Sequence, residues 1–282
     1  MDNESTIQNL QRKSLFIDDV QYHESYPLFS WIEISLTELC NRKCEFCPRV
    51  DGSYPNQNLH MSIDLVDKIG HELRNINFKG AIALCGYGEP MLHDDIYEVL
   101  RKLHDIDVEI VTNGDQLTSQ VVTDLYDSGL KHLQISMYDG DHQIDIFESM
   151  LREAGVSDVS YSLRDRWYDE NSDYGLCLTN RAGVMNLGPR EVELNRPCNY
   201  LAYSLMVDWN GDVLLCSQDW HKKRKFGNLT TISLVEAWLS PSMKKYRERL
   251  ISGDRGSHPC SLCNVDGTKL GSNHAVQWKK SR

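Results

Sequence analysis

The chain lacks three features that would send its reading elsewhere. No apolar run approaches the ~20 residues that a membrane-spanning helix needs. There is no surplus of basic charge: 30 Lys and Arg stand against 41 Asp and Glu, for a net charge of -11. Nucleic-acid binders usually carry a basic surplus, so neither nucleic acid nor membrane is an expected partner. Met1 to Lys13 hold neither a basic stretch nor an apolar core, so no export leader and a cytoplasmic location are expected. What remains is an ordinary globular composition, 40% hydrophobic and 25% charged over 282 residues, enough for one large α/β domain with a small appendage. Cysteine is the residue present in unusual number and arrangement. There are nine, and seven fall into two groups: Cys40, Cys44 and Cys47, then Cys198, Cys216, Cys260 and Cys263. In a reducing compartment such clusters are metal ligands more often than disulfides.

Between the groups, strand and helix patterns alternate. Residues 1–28 carry little pattern and are expected to wrap the domain. Ile32, Ile34 and Leu36 alternate after Trp31 as one face of a strand. Ser62 suits a helix N-cap, with Ile63, Val66, Ile69 and Leu73 following at helical spacing. Further strands are expected at 81–84, 108–111, 133–137 and 159–163. Helices are expected around Ile96 to Leu103, around Val121 to Leu125 (closed by Gly129) and around Ile144 to Leu151. This alternation means βαβ units and a parallel sheet. From about residue 190 the pattern changes. Segments 203–207 and 213–215 flank Asn210-Gly211, a hairpin signal. Helices follow around Leu234 to Leu239 and from Pro241 to Leu250, before Cys260-Ser261-Leu262-Cys263.

The first cysteines form a C-x3-C-x-aromatic-C run at the end of an apolar strand, with Phe46 as the aromatic. Three thiolates can ligate only three irons of a cubic [4Fe–4S] cluster, whose usual complement is four. A zinc loop or unrelated buried thiols are the alternatives. The run resembles that of the radical S-adenosylmethionine (SAM) superfamily, whose open iron takes SAM's amino and carboxylate groups. That resemblance implies a partial (βα)6 barrel over 29–190, after an N-terminal extension over 1–28. Chemistry in such barrels sits at the C-terminal ends of strands, where Gly88-Glu89-Pro90, Thr112-Asn113-Gly114 and Ser136 fall. The resemblance implies SAM contacts from Phe46, Gly88, Glu89, Pro90, Asn113, Ser136 and Arg164. For Asn113 a turn-forming role is the alternative, and Arg164 and Arg181 could instead be surface arginines. Tyr87 stands where the family usually has the first Gly of Gly-Gly-Glu-Pro; the SAM contact there is expected from backbone.

The second group has 17, 43 and 2 residues between successive cysteines. With Gly211, Asp219 and Gly227-Asn228-Leu229, it resembles the SPASM auxiliary-cluster region in its shorter, twitch form, over 191–282. Four cysteines imply one further [4Fe–4S] cluster with no open iron; a structural zinc site is the alternative. Such a cluster suits electron transfer. The resemblance therefore implies an oxidoreductase that dehydrogenates a small polar molecule, such as a sugar, amino sugar or cyclitol, with electrons from a flavodoxin- or ferredoxin-type donor. Arg181 is the residue expected at the substrate. Cys85 and Cys177, outside both groups, could be hydrogen-atom donors of a radical epimerase, or small buried hydrophobes. Peptide or protein maturation is a further alternative, though residues 1–28 are too few for a peptide-binding domain. The basic run His221 to Lys225 is read as a solvated loop, or else as a contact for phosphate or an acidic electron donor.

Overall fold

The computed structural model describes residues 4–168, 174, 178–188 and 193–281. An N-terminal helix α1 (Glu4–Ile17) and a ribbon of β1 (Tyr22–His23) and β2 (Tyr26–Pro27) precede the alternating segment. That segment runs β3 (Trp31–Ile34), α2 (Ile63–Asn75), β4 (Ala81–Leu84), α3 (Ile96–Lys102), β5 (Asp107–Thr112), α4 (Ser119–Asp127), β6 (His132–Met137), α5 (His142–Glu153) and β7 (Tyr161–Asp165). The rest comprises α6 (Tyr200–Tyr203), β8 (Ser204–Val207), β9 (Asp212–Leu214), β10 (Lys225–Asn228), α7 (Leu234–Trp238), α8 (Pro241–Ile251) and α9 (Ser272–Lys280). The Ser62 hydroxyl caps α2 by accepting from the Leu65 N–H at 3.3 Å, as its position suggests.

One sheet carries the order β10-β9-β8-β3-β4-β5-β6-β7. From β8 to β7 the neighbours are parallel, and β9 and β10 add antiparallel strands at one edge. The α/β architecture with a parallel sheet is as the sequence pattern implies. The sixth parallel strand, however, is β8, from beyond residue 190, and it pairs with β3 rather than following β7. The segment was legible as half of a hairpin, which it also is. A short apolar run buried on both faces does not reveal its second neighbour.

The sheet's two faces differ in chemistry. Ile32, Ile34, Ile82, Leu84, Val108, Ile110, Leu133, Ile135, Leu205 and Val207 pack into the main core with α2 to α5. The alternate positions include buried Glu33, Glu109, Gln134 and Ser136. Helix α1 answers part of that polar face. Arg12 pairs with Glu109, the Lys13 ammonium lies 3.8 Å from Glu33, and Asn9 accepts from Gln134 at 3.3 Å. Ile17 of α1 packs with Trp31, Ala81 and Ala83. The N-terminal extension is therefore a helix whose anchors are largely polar, which is why no apolar stripe announced it. Strand β7 starts two residues later than expected, and Val159 is 85% exposed. Its inner positions are polar, so apolar alternation did not mark its span, and Arg164 lies inside the strand rather than after it.

Candidate active site

A cavity of about 270 Å³ opens among the C-terminal ends of β4 to β7 and the loop after β3. Cys40, Cys44 and Cys47 line it together with Phe46, Cys85, Gly88, Glu89, Asn113, Ser136, Arg164 and Arg181. Pro90 is buried outside this lining and opens a short 3₁₀ turn. Cys177 lies outside the described residues. Tyr87, whose position was expected to meet SAM through its backbone, also lines the cavity, as do Arg42, Arg49, Tyr138, Arg166 and Trp220, which were not identified from the sequence as site residues.

The cysteine loop is held by two arginines. Arg49 is buried and donates to the carbonyls of Tyr87 (2.7 Å), Pro55 (2.8 Å) and Glu38 (2.5 Å). Arg42 forks onto Asp115 (2.6 and 2.8 Å) and Asp139 (2.8 and 3.0 Å), tying the loop to the ends of β5 and β6. Asn113 Nδ2 donates to Asn41 Oδ1 at 2.7 Å, and Phe46 stacks on Tyr138 with centroids 6.2 Å apart. Gly88 has no room for a side chain: a Cβ would stand 2.2 Å from the Thr37 carbonyl oxygen and 2.6 Å from that of Leu39. Glu89 accepts from Thr112 Oγ1 (2.7 Å) and from the backbone N–H groups of Asn113 (2.8 Å) and Met91 (3.1 Å). Burial outweighs those bonds and pushes its carboxyl up to about 7.

Tyr87 fills its non-glycine position with a packing role. Its ring is 5.0 Å from Trp220 and 6.4 Å from Tyr54, and its hydroxyl donates to the carbonyls of Cys216 (3.4 Å) and Asp219 (3.3 Å). The turn after β4 is thereby bolted to the second cysteine group.

That group lines a separate cavity. Cys198, Cys216, Cys260 and Cys263 surround it with Leu201, Leu215, Leu250 and Val265. The Gly267 backbone approaches closely, since a Cβ there would stand 2.3 Å from Cys198 Sγ. Arg255, also missed in the sequence, is buried alongside and donates to the carbonyls of Arg196, Pro197 and Val265, each at 2.9 Å. The Tyr246 hydroxyl reaches Cys260 Sγ at 3.7 Å. Burial pushes the thiols of Cys44 and Cys260 up to about 12, and those of Cys40, Cys47, Cys198, Cys216 and Cys263 also rise. Thiolates in such walls need a bound cation to hold their charge. Among the described residues, no three His, Cys, Asp or Glu side chains are arranged to hold a single ion. The cysteines line two cavities.

The basic run is largely built into the structure. Lys222 pairs with Asp208 (2.6 Å) and Glu38 (3.2 Å), and Lys225 pairs with Asp212 (2.6 Å). The buried Asp219 accepts from the backbone N–H groups of Lys223 (3.0 Å) and Arg224 (2.9 Å). The side chains of His221 and Lys223 are exposed, and Arg224 donates to the His258 carbonyl at 3.2 Å.

Two family models match the chain: the radical SAM superfamily over residues 34–164, and the SPASM iron–sulfur cluster-binding domain over residues 198–264. The chain carries a radical SAM domain followed by a SPASM domain. The radical SAM match begins in β3 and ends in β7, and the SPASM match contains all four cysteines of the second cavity. The cofactors of this radical SAM enzyme are accordingly SAM, a [4Fe–4S] cluster that binds it, and SPASM iron–sulfur. The S-adenosyl-L-methionine-dependent 2-deoxy-scyllo-inosamine dehydrogenase of Niallia circulans is 28% identical across 84% of this chain and 93% of its own length. A probable GTP 3′,8-cyclase of Sulfurisphaera tokodaii is 32% identical, across 40% of this chain and 36% of its own. Among solved structures, BtrN in complex with AdoMet and 2-DOIA superposes with a TM-score of 0.74 at 24% identity, covering 89% of this chain and 98% of its own. Native anSMEcpe with bound AdoMet gives 0.57 at 13% identity, covering 89% and 95%. These two structures speak to the fold. The same radical SAM chain has, among its described residues, no helix long and apolar enough to cross a membrane.

Proposed function

We propose that this radical SAM enzyme dehydrogenates one hydroxyl-bearing carbon of a small polyhydroxylated molecule, a sugar, amino sugar or cyclitol, to a ketone. The observation that carries the proposal is the three-plus-four division of the cysteines, together with a dehydrogenase relative that spans most of the chain. When bound, the cofactors of the first site supply a 5′-deoxyadenosyl radical that takes a carbon-bound hydrogen, after which the substrate gives up its hydroxyl proton and one electron to complete a two-electron oxidation.

The chain's own residues set this up. Cys40, Cys44 and Cys47 would hold three irons, leaving the fourth for SAM. The edge formed by Gly88, Glu89 and Pro90 would receive SAM's amino group; Asn113, Ser136, Arg164 and Phe46 would frame the rest. Arg164 donates to Ser136 Oγ at 2.9 Å, so these two act as one wall. Arg181 would hold substrate. Cys198, Cys216, Cys260 and Cys263 would fill every ligand position of one auxiliary cluster, which suits that site to accept the electron rather than bind substrate. The walls there are largely apolar. The division into an extension (1–28), a barrel (29–190) and an auxiliary domain (191–282), a cytoplasmic location and a flavodoxin- or ferredoxin-type reductant belong to the same reading.

Anaerobically reconstituted protein should be incubated with SAM, dithionite and candidate sugars and cyclitols. The reading expects 5′-deoxyadenosine and a product about two mass units lighter than its substrate, the mass of the two hydrogens that a two-electron oxidation removes. A product of unchanged mass would favour redox-neutral epimerisation instead. One observation supports that second reading: Cys85 lines the cavity, and burial pushes its thiol up to about 12, keeping the S–H that a hydrogen donor needs. Loss of epimer in Cys85→Ala, with 5′-deoxyadenosine still formed, would decide for it.

A further inference from the structure

The charge lining the first cavity says something about the substrate, given the dehydrogenase reading on which this inference rests. Five guanidiniums line the cavity, those of Arg42, Arg49, Arg164, Arg166 and Arg181, against one carboxylate, Glu89. Arg42 is answered by Asp115 and Asp139, and Arg49 by carbonyl oxygens. Arg166 donates to the Asp165 and Tyr174 carbonyls. Arg164 and Arg181 differ from these. Neither forms a salt bridge with a described carboxylate, and the Nε of each is buried without a partner. A guanidinium enclosed without a counter-charge is costly, so a wall carrying two of them is suited to anions. SAM brings one carboxylate, which occupies one fork. The cysteine thiolates are answered by the irons they bind and by the sulfonium. One guanidinium is left, and an ammonium-bearing substrate would add repulsion to it.

We propose that the substrate carries an anionic group, a carboxylate or a phosphate, and that Arg181 seats it. Arg164 is committed to the Ser136 wall, which leaves Arg181 as the fork without a counter-charge among the described residues. Its backbone supports the assignment. Arg181 and Ala182 both hold positive φ values, 47° and 53°, in a region that non-glycine residues rarely adopt. The turn is clamped by Asn180, whose N–H donates to Asn264 Oδ1 at 2.9 Å and whose side chain donates to the Leu262 carbonyl at 2.6 Å. Such strain persists where surrounding contacts over-determine a functional side chain. The substrate so defined differs in charge from an amine such as the inosamine named for the Niallia circulans relative.

The test is anaerobic calorimetric titration of the cluster-loaded, SAM-bound full-length protein with a hexose series differing in charge: glucose, glucosamine, glucuronate and glucose 6-phosphate. Dithionite-driven 5′-deoxyadenosine release is measured in parallel. Glucuronate or glucose 6-phosphate should bind about 10- to 100-fold more tightly than glucose, as a charge-assisted fork implies, and glucosamine more weakly than glucose. Which anion binds distinguishes carboxylate from phosphate. Arg181→Gln should erase the preference. Should that variant fail to load iron, Arg181→Lys carries the test, losing anion affinity several-fold while glucose binding stays level. Glucose or glucosamine binding as tightly as both anions, or no probe binding while SAM is still cleaved, would overturn the anionic assignment and leave the dehydrogenase reading standing. Absence of any SAM cleavage would overturn that reading and this assignment with it.

Discussion

The two cysteine sites of this chain differ in what surrounds the sulfur. The first holds the three cysteines of one loop, with Cys85 apart from them at the end of β4, in a cavity walled by arginines, a carboxyl and the polar ends of parallel strands. The second holds four among leucines and a valine, with one buried arginine whose donors are spent on carbonyls. A missing ligand with polar walls leaves room for a small molecule to reach iron; a full set with apolar walls leaves a path only for an electron. On the proposed reading SAM binding falls to the first site and acceptance of the substrate's electron to the second, and the two are bolted together through Tyr87 and the turn at Arg181.

Replacing cysteines should break the comparison most severely. Cys44→Ala should abolish 5′-deoxyadenosine formation, whereas Cys216→Ala should keep uncoupled SAM cleavage and lose the ketone. Each should lower anaerobically measured iron from about eight per chain to about four. If both variants fail identically, the division of labour is wrong. The supports of the loops come next. Arg49→Ala would strip three carbonyls of their donor around the first site, and should cost about 3 kcal/mol or more in denaturant unfolding. The effect should fall on iron loading at the first site and spare the second.

Tyr87 tests the bolt between them. Tyr87→Phe removes one hydroxyl donor shared between two carbonyls and should cost about 1 kcal/mol. Tyr87→Gly, which installs the family's usual residue, leaves a void beside Trp220 and should cost about 3–5 kcal/mol. In both, 5′-deoxyadenosine released per product should rise if the contact serves transfer between sites. A further effect is a pH dependence confined to the first site. Glu89 titrates near 7 when folded and from the ordinary carboxyl range when unfolded, so the native state holds the extra proton between about 4.5 and 7. Its contribution is fully present below that window and is lost as pH rises through it, with a slope of at most about 1.4 kcal/mol per pH unit. Denaturant unfolding of metal-free wild type and Glu89→Gln at pH 5 and pH 7 should show the stability difference shifting toward the variant at the higher pH.

Legibility in the sequence followed the kind of interaction. The seven cysteines, the strand-end motifs and the α/β alternation are local patterns, and the sheet and cavities carry them. Arg49, Arg42 and Arg255 left no signal, because each acts on backbone or carboxyl groups that only the fold brings to it, and an arginine in a loop resembles any other. Trp220 and Tyr138 were passed over because an aromatic near a motif reads as core. Helix α1 was missed because its anchors, Arg12 and Lys13, reach glutamates on β5 and β3, a pairing set by the sheet's inner face. The Tyr87 departure was visible as a departure, but its purpose lay 129 residues away at Cys216.

The central claim is that one of two clusters, and one alone, is open to SAM. Electron paramagnetic resonance of the reduced, anaerobically reconstituted protein tests it most directly, with and without SAM, in wild type, Cys216→Ala and Cys44→Ala. The account predicts a SAM-induced change in one of two signals, kept in Cys216→Ala and gone in Cys44→Ala. A spectrum indifferent to SAM, or a change that survives in Cys44→Ala, would contradict it.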